Sequence, residues 1–309
     1  MVTFTVAIPS YNRSSRLVAQ LERLYPEAVA LEGRCRLVVS DNCSTDDTQE
    51  AVTSWIAAHP DVAITYHRNA SNLGVMRNIA ACADAADGDF VWILGDDDEI
   101  PPGTVQRLLS ELDAHPDLSL LSVNYEMFDV PNDRVMKPAR LRLQHDIDKP
   151  GAGPLDARDD DGVPVVNVMG FMSGQVYRTE AIRRAIAAWP EFGNLDVQIF
   201  WSAHCAQQGP VLVKADPFIR YDCGTNALAK PAVWLKVHVQ QSAEVFLKMR
   251  RIGYPVKMCR QGILLPVSSK YEITDTLKLT VRYPLIGIRA LAYVAYAAVA
   301  VHLPVTHSA

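Results

Sequence analysis

Residues 90–98 read FVWILGDDD, an apolar run that ends on Gly95 and three adjacent carboxylates. Bulky and β-forming side chains bounded by glycine mark a short buried strand. Three like charges at its end repel one another, so they need a compensating cation or full exposure to water. Hard divalent cations such as Mg2+ and Mn2+ take carboxylate oxygens and leave positions for phosphate or water. In extended geometry Asp96 and Asp98 share one side and Asp97 points away. A charged loop after a buried strand is the other reading of the triplet taken alone.

Working outward from this strand, the same unit recurs. Phe4–Ile8 is an apolar β-forming run closed by Pro9, followed by the helix-like RLVAQLERL. Arg36–Ser40 (RLVVS) precedes the polar loop DNCSTDD and the helical TQEAVTSWIAAH, for which Ser44 or Thr45 would be the N-cap. Val62–His67 is a third strand, and residues 74–86 form an Ala-rich helix that leads back to the quoted strand. Alternating strands and helices predict an α/β fold with a parallel sheet, whose ligands bind at the carboxyl ends of the strands. Pro9–Asn12, Asp41–Asp46 and Asp96–Asp98 all fall at such ends.

Beyond Pro101-Pro102-Gly103 a helix (TVQRLLSELDAH) and a strand (Leu118–Asn124) follow. The composition of 131–164 then turns to Asp, Pro, Gly and Arg. A second triplet, Asp159–Asp161, precedes Gly162 and Pro164 and reads as a solvated turn. VVNVMGFMSGQVY (165–177), the helices TEAIRRAIAAW and VQIFWSAHCAQQG, and a final strand region VLVKADPFIRYD complete this part.

The chain has 309 residues, 49% hydrophobic and 21% charged, enough for a sizeable core. Net charge is -5, unevenly spread: Lys230–Ala309 holds 11 Lys or Arg against 3 Asp or Glu, a net +8 that leaves -13 on residues 1–229. The acidic body and the absence of a basic, aromatic-interleaved motif disfavour nucleic acid as partner. The six cysteines form no C-x-x-C pair, which fits neither a zinc site nor a disulfide framework and points to a reducing compartment. MVTFTVAIPS lacks a basic n-region, so no secretory signal is expected. Pro284–Pro304 is an apolar stretch near bilayer-spanning length but interrupted by Arg289 and His302. With the basic residues upstream it suits a helix lying in a membrane interface, the alternative being a helix packed on its own domain or on a second subunit.

Four segments in order, IPSYNR, VVSDNCSTDDT, RNASNLGVMRNIA and FVWILGDDD, resemble the family 2 glycosyltransferases over residues 1 to 125, and more weakly to 225. The resemblance implies the GT-A fold, a Rossmann-like, mostly parallel sheet flanked by helices, here with a C-terminal helical, basic and apolar appendage. It implies an inverting, metal-dependent transfer of one sugar from a nucleotide-diphosphate sugar to a hydroxyl of a glycan or polyprenyl-linked acceptor, with Mn2+ or Mg2+ as cofactor. By position Pro9, Ser10, Tyr11, Asn12 and Asp41 would line the nucleobase pocket, and Arg77 would sit near the nucleotide. Asp96 would face ribose and metal, Asp98 would ligate the metal, and Asp97 would space them. Residues 1–229 would be the transferase domain, with 1–125 binding donor and 126–229 on the acceptor side, and 230–309 the appendage.

Family members usually carry Glu-Asp at the start of a later helix as the base that deprotonates the acceptor hydroxyl. The matching place reads FGNLDVQIFW, so Asp196 keeps the Asp while Leu195 replaces the Glu. Capping of the helix beginning near Val197 explains Asp196 as well. Ser173 and Gly174 fall where relatives place an acceptor loop, and core packing accounts for them too. The Q-x-x-R-W signature and several spanning helices of processive members are absent, so a cytoplasmic enzyme at the inner face of the membrane, building cell-surface polysaccharide or glycolipid, is expected. The LGDDD form is similar to transferases adding dideoxyhexoses such as abequose in O-antigen assembly. A sugar nucleotidyltransferase would carry a Gly-rich loop after strand one, and IPSYNRSSR has no Gly. A non-catalytic sugar-nucleotide-binding protein remains the reading that Leu195 encourages.

Overall fold

A computed structural model describes residues 1–151, 153–190, 192–223, 231–268 and 272–304. The chain divides into two compact units, one of Met1–Phe192 with Trp201–Cys223 and the other of Gly193–Phe200 with Gly224–Ala309. The boundary expected after residue 229 lies outside the described residues.

The first unit is built on one sheet. Its strands are β1 (Phe4–Ser10), β2 (Cys35–Asp41), β3 (Ile64–Arg68), β4 (Phe90–Ile93), β5 (Leu120–Asp129), β6 (Arg134–Lys137), β7 (Ile147–Lys149), β8 (Gln175–Arg178) and β9 (Val211–Cys223). They run in the order β3-β2-β1-β4-β8-β5-β9-β7, with β6 on β5. The first four are parallel, as their alternation with helices demands. Beyond β4 the sheet is mixed: β8 enters antiparallel to both β4 and β5, while β5 and β9 are parallel.

Flanking helices bury one stripe each. In α1 (Ser14–Ala30) Leu17, Leu21, Leu24 and Ala28 recur at helical spacing and are buried, with Gln20 among them. α2 (Thr48–Ala58) buries Val52 and Trp55, and α3 (Val75–Ala85) buries Met76, Ile79, Ala80 and Ala83. α4 (Thr104–Ala114) buries Val105, Leu108, Leu109 and Leu112. α5 (Thr179–Ala188) buries Ile182 and Ala185, and α6 (Val197–Ala206) follows it. On one face of the sheet Phe4 of β1 and Trp92 of β4 stack at 6.4 Å, both fully buried.

The expected cap of α2 by Ser44 or Thr45 is not formed. The helix starts at Thr48, and Asp46 Oδ1 accepts from the Thr48 N–H at 3.1 Å instead. Ser44 is occupied elsewhere: its Oγ accepts from the Asn12 N–H at 2.9 Å. The second acidic triplet is the expected turn, with Asp160 and Asp161 exposed to solvent, and only Asp159 turns inward. Asp159 is buried, its Oδ1 accepting from the N–H groups of Asp161 and Val163 and its Oδ2 from that of Arg142. A carboxylate engaged by three backbone donors holds its loop together, which is role enough to explain its burial.

The second unit is helical: α7 (Pro231–Trp234) runs through a wider π-type stretch, Leu235–Gln241, into α8 (Ser242–Arg251). α9 (Val256–Ser268), α10 (Glu272–Arg282) and α11 (Pro284–Ala300) follow. Small residues let these helices approach closely. A Cβ at Gly287 would lie 2.6 Å from the Thr280 Cα, and glycine is required there for that reason. No helix among the described residues is long and apolar enough to cross a membrane.

Candidate active site

Parallel register brings three strand ends level. β1 pairs with β2 so that Ser10 stands opposite Asp41, and Asp41 in turn faces Arg68 of β3. β1 pairs with β4 so that Ala7 stands opposite Ile93; continued three residues, this register sets Ser10 beside Asp96. The Ser10 hydroxyl donates to Asp96 Oδ2 at 2.7 Å.

The acidic triplet does not extend the strand. β4 ends at Ile93, and Asp96-Asp97 form a turn. Gln20, the buried polar residue in the apolar stripe of α1, holds that turn by donating to the carbonyls of Gly95 (3.1 Å) and Asp98 (3.0 Å). Asp96 and Asp98 are nevertheless both buried, and Asp97 is more exposed.

The three carboxylates differ in what neutralises them. Arg13 donates to Asp96 Oδ1 at 2.8 Å and to Asp97 Oδ2 at 2.9 Å, and Arg16 reaches Asp97 at 3.2 Å. Both Asp96 oxygens therefore have protein partners. Burial still outweighs them and raises its pKa above the ordinary carboxylate value. Asp98 accepts from the Ser173 hydroxyl and has no cation beside it among the described ion pairs. Desolvation, then the negative neighbours Asp97, Asp96 and Asp222, push its pKa up to about 7.

Ser173 is fully buried in a single helical turn, Met172–Gly174, just before β8. Its Oγ accepts from the Gly95 N–H at 2.9 Å while donating to Asp98, and its carbonyl accepts from Trp92 Nε1 at 2.7 Å. The Ser173 hydroxyl is thus directed at the acidic turn. Gly174 lies beneath β5, where a Cβ would come within 3.3 Å of the Val123 carbonyl oxygen.

At the neighbouring strand end Asp41 is fully buried. Its Oδ1 accepts from the Ser44 N–H at 2.9 Å and its Oδ2 from the Tyr66 hydroxyl at 2.7 Å, with Arg68 Nε at 3.3 Å. Asn12, at φ +53, ties the first loop to the second by accepting from the Thr45 N–H at 2.7 Å. Pro9 is half-buried beside it, and the Tyr11 ring is 41% exposed. Arg77 does not join the acidic turn; its guanidinium lies over the Phe192 ring at 4.7 Å.

Asp196, in the second unit, stands immediately before α6 and is buried. Its N–H donates to Asn194 Oδ1 at 2.8 Å, and Asn194 is anchored by donating to the Gln241 carbonyl at 3.0 Å. Desolvation alone pushes the Asp196 carboxyl up to about 7.

Arg13, Arg16, Gln20, Tyr66 and Arg68 were not singled out from the sequence. The signal for Arg13 was present: a crowded acidic triplet requires a cation, and Arg13 ends the motif that follows β1.

Could the residues present accommodate a divalent cation? No group of three His, Cys, Asp or Glu side chains forms a cage among the described residues. Asp98 is a buried carboxylate without a basic partner among the described residues, which suits an ion held by one or two carboxylates together with phosphate oxygens and water. Asp96, with both oxygens engaged, is the poorer ligand as it stands.

The family model "Glycosyl transferase family 2" matches residues 5–164, and the chain belongs to that family. It is 36% identical over 114 residues to abequosyltransferase RfbV of Salmonella typhimurium, covering 37% of this chain and 33% of that protein. An uncharacterized glycosyltransferase of Haemophilus influenzae is 25% identical over 117 residues, 38% of this chain and 37% of that one. The chain thus matches roughly a third of these relatives' own length. Among solved structures, S. aureus TarS 1–349 superposes with a TM-score of 0.66 at 17% identity, over 96% of this chain and 81% of that one. Mannosyltransferase PcManGT of Pyrobaculum calidifontis, in complex with GDP-Man and Mn2+, gives 0.62 at 18% identity over 96% and 80%. The fold is GT-A-like, a mixed sheet flanked by helices with further helices at its C-terminal end.

Proposed function

We propose that the protein transfers a single sugar from a nucleotide-diphosphate sugar to a hydroxyl of a glycan or polyprenyl-linked acceptor, with inversion. The observation that carries this is the uneven neutralisation of the triplet: Asp96 and Asp97 have arginine partners, whereas Asp98, buried like Asp96, has none among the described residues. Asp98 would hold Mn2+ or Mg2+ on the donor diphosphate, and a GT-A-like neighbour that binds GDP-Man and Mn2+ supports that choice. Bound there, the ion stabilises charge on the departing nucleoside diphosphate by Lewis-acid action. Asp96, braced by Ser10 and Arg13, faces the ribose; Pro9, Ser10, Tyr11, Asn12 and Asp41 form the base-binding edge. Arg77 serves the nucleotide from α3.

Asp196 takes the proton of the attacking hydroxyl. A carboxyl titrating about 7 is basic enough to accept that proton and still ionised in part at neutral pH. Ser173, whose hydroxyl also holds the acidic turn, and Gly174 border the acceptor. The likeness to an abequosyltransferase supports a deoxyhexose donor and a role in cell-surface polysaccharide assembly. We place the enzyme in the cytoplasm, in peripheral contact with the inner face of the membrane through 230–309.

Thermal-shift titration of the full chain with UDP-, GDP-, CDP- and dTDP-sugars plus Mn2+ tests donor use. A ligand at a hundred times its Kd adds about 2.7 kcal/mol of stability. One nucleotide class should raise the melting temperature, and only when Mn2+ or Mg2+ is present; no response to any donor would refute the reading.

A further inference from the structure

The last helices carry an apolar face that the fold leaves uncovered. In α11 Gly287, Ala290, Val294 and Ala297 are buried and fall on one side at helical spacing. Leu285, Ile288, Tyr296 and Val299 fall on the opposite side and are exposed, Leu285 at 81% and Val299 at 69%, with Leu303 beyond them. On α10, Leu277 and Val281 lie one turn apart, Val281 at 83% exposure. Single exposed leucines are ordinary; a stripe along a whole helix whose one charged residue, Arg289, stands at its edge is not.

The rim of this stripe is basic. Lys278 and Arg282 follow Leu277 and Val281 in sequence and are exposed, as is Arg289 after Ile288. α10 also carries two acidic residues in its sequence, Glu272 and Asp275. The surrounding segment, Lys230–Ala309, carries the net +8 of a chain that is otherwise acidic. The Tyr296 ring, apolar with a polar tip, is of the kind that sits at a lipid headgroup boundary.

We propose that the exposed face of α10 and α11 docks on an anionic phospholipid surface, its apolar stripe at the acyl boundary and Lys278, Arg282 and Arg289 on the headgroup phosphates. A second copy of the chain is the competing occupant. A two-fold contact through this face would bring its basic rims together, whereas a phosphate surface complements them. The inference deepens the membrane contact proposed above by naming its face and its lipid chemistry.

Co-flotation of the purified full chain with phosphatidylcholine vesicles, with and without phosphatidylglycerol, tests it. Binding should require the anionic lipid and weaken at high salt. The double variant Lys278→Gln/Arg282→Gln should bind about 30-fold more weakly, each charge contributing about a fivefold factor. Val281→Asp/Leu285→Asp, at positions exposed enough to tolerate it, should bind about tenfold more weakly or worse. Donor-induced thermal shifts measured on the same variants should be unchanged, which separates failure of docking from failure of sugar transfer. Absence of vesicle binding by the parent, binding indifferent to lipid charge, or a dimer by sedimentation that Val281→Asp/Leu285→Asp dissolves would each overturn the proposal.

Discussion

The Arg13 guanidinium and the Asp196 carboxyl make opposite demands on the fold. Arg13 compensates a buried carboxylate, so Arg13→Ala leaves Asp96 unpaired and should lower stability by about 1–3 kcal/mol, its own partial exposure keeping it below the cost of a fully buried pair. Adding Asp96→Asn to Arg13→Ala should recover most of that loss in denaturant melts, as the double-mutant cycle of a direct pair requires. Asp196 has no such compensation. Its folded pKa of about 7 is raised above the ordinary 3.8, so the folded chain holds a proton the unfolded chain has lost. Stability then falls as pH rises from about 4 to 7, and the deficit is fully present above that. Asp196→Asn should therefore melt higher than the parent at pH 8 and equal to it near pH 3.5, while losing about a hundredfold or more in transfer rate. The parent's rate should climb through pH 7 as the base ionises; a rate flat from pH 5 to 9 would place the base elsewhere. Of these residues Asp196 was legible as a displaced half of a known pair, and Arg13 only as an unmet need for a cation. Side-chain partners across 83 residues leave no mark in local spacing.

The four parallel strands could be read as elements because each is a short run of β-forming residues followed by a polar or glycine-bearing loop, although β1 continues through Pro9, the expected stop, to Ser10. β8 could not: a strand of four residues, placed antiparallel between β4 and β5, has its position set by partners remote in sequence. Its arrival decides the site, because the turn before it delivers Ser173 to the acidic loop. Ser173→Ala removes the acceptor of the Gly95 N–H and should cost about 1–3 kcal/mol, with Ser173→Thr restoring the hydroxyl but straining a fully packed position. Gly95→Ala should be worse for activity than for stability, since its Cβ would stand 2.5 Å from Asp98 Oδ2 and turn that carboxylate away. In the second unit Gly287→Val would drive a branched side chain into the backbone of α10 and should lower the thermal midpoint by several degrees, about 1–3 kcal/mol. α11 itself was legible as an apolar helix, whereas the split between its buried small residues and its exposed stripe needed the packing of its neighbours.

For the whole molecule, the acidic first part and basic last part of the chain fit the two partners proposed, a cation-bridged diphosphate for the buried triplet and a phosphate surface for the helical tail. The central claim concerns the first, that Asp98 holds the metal on a nucleotide-diphosphate donor. Its most direct test is release of nucleoside diphosphate by the purified chain, with Mn2+ and the donor selected by thermal shift, comparing the parent with Asp98→Asn. Chelation should abolish turnover, and Asp98→Asn should reduce it by about a hundredfold or more, as loss of a principal electrostatic stabiliser does. Full turnover by Asp98→Asn, in a chain that still requires the metal, would contradict it.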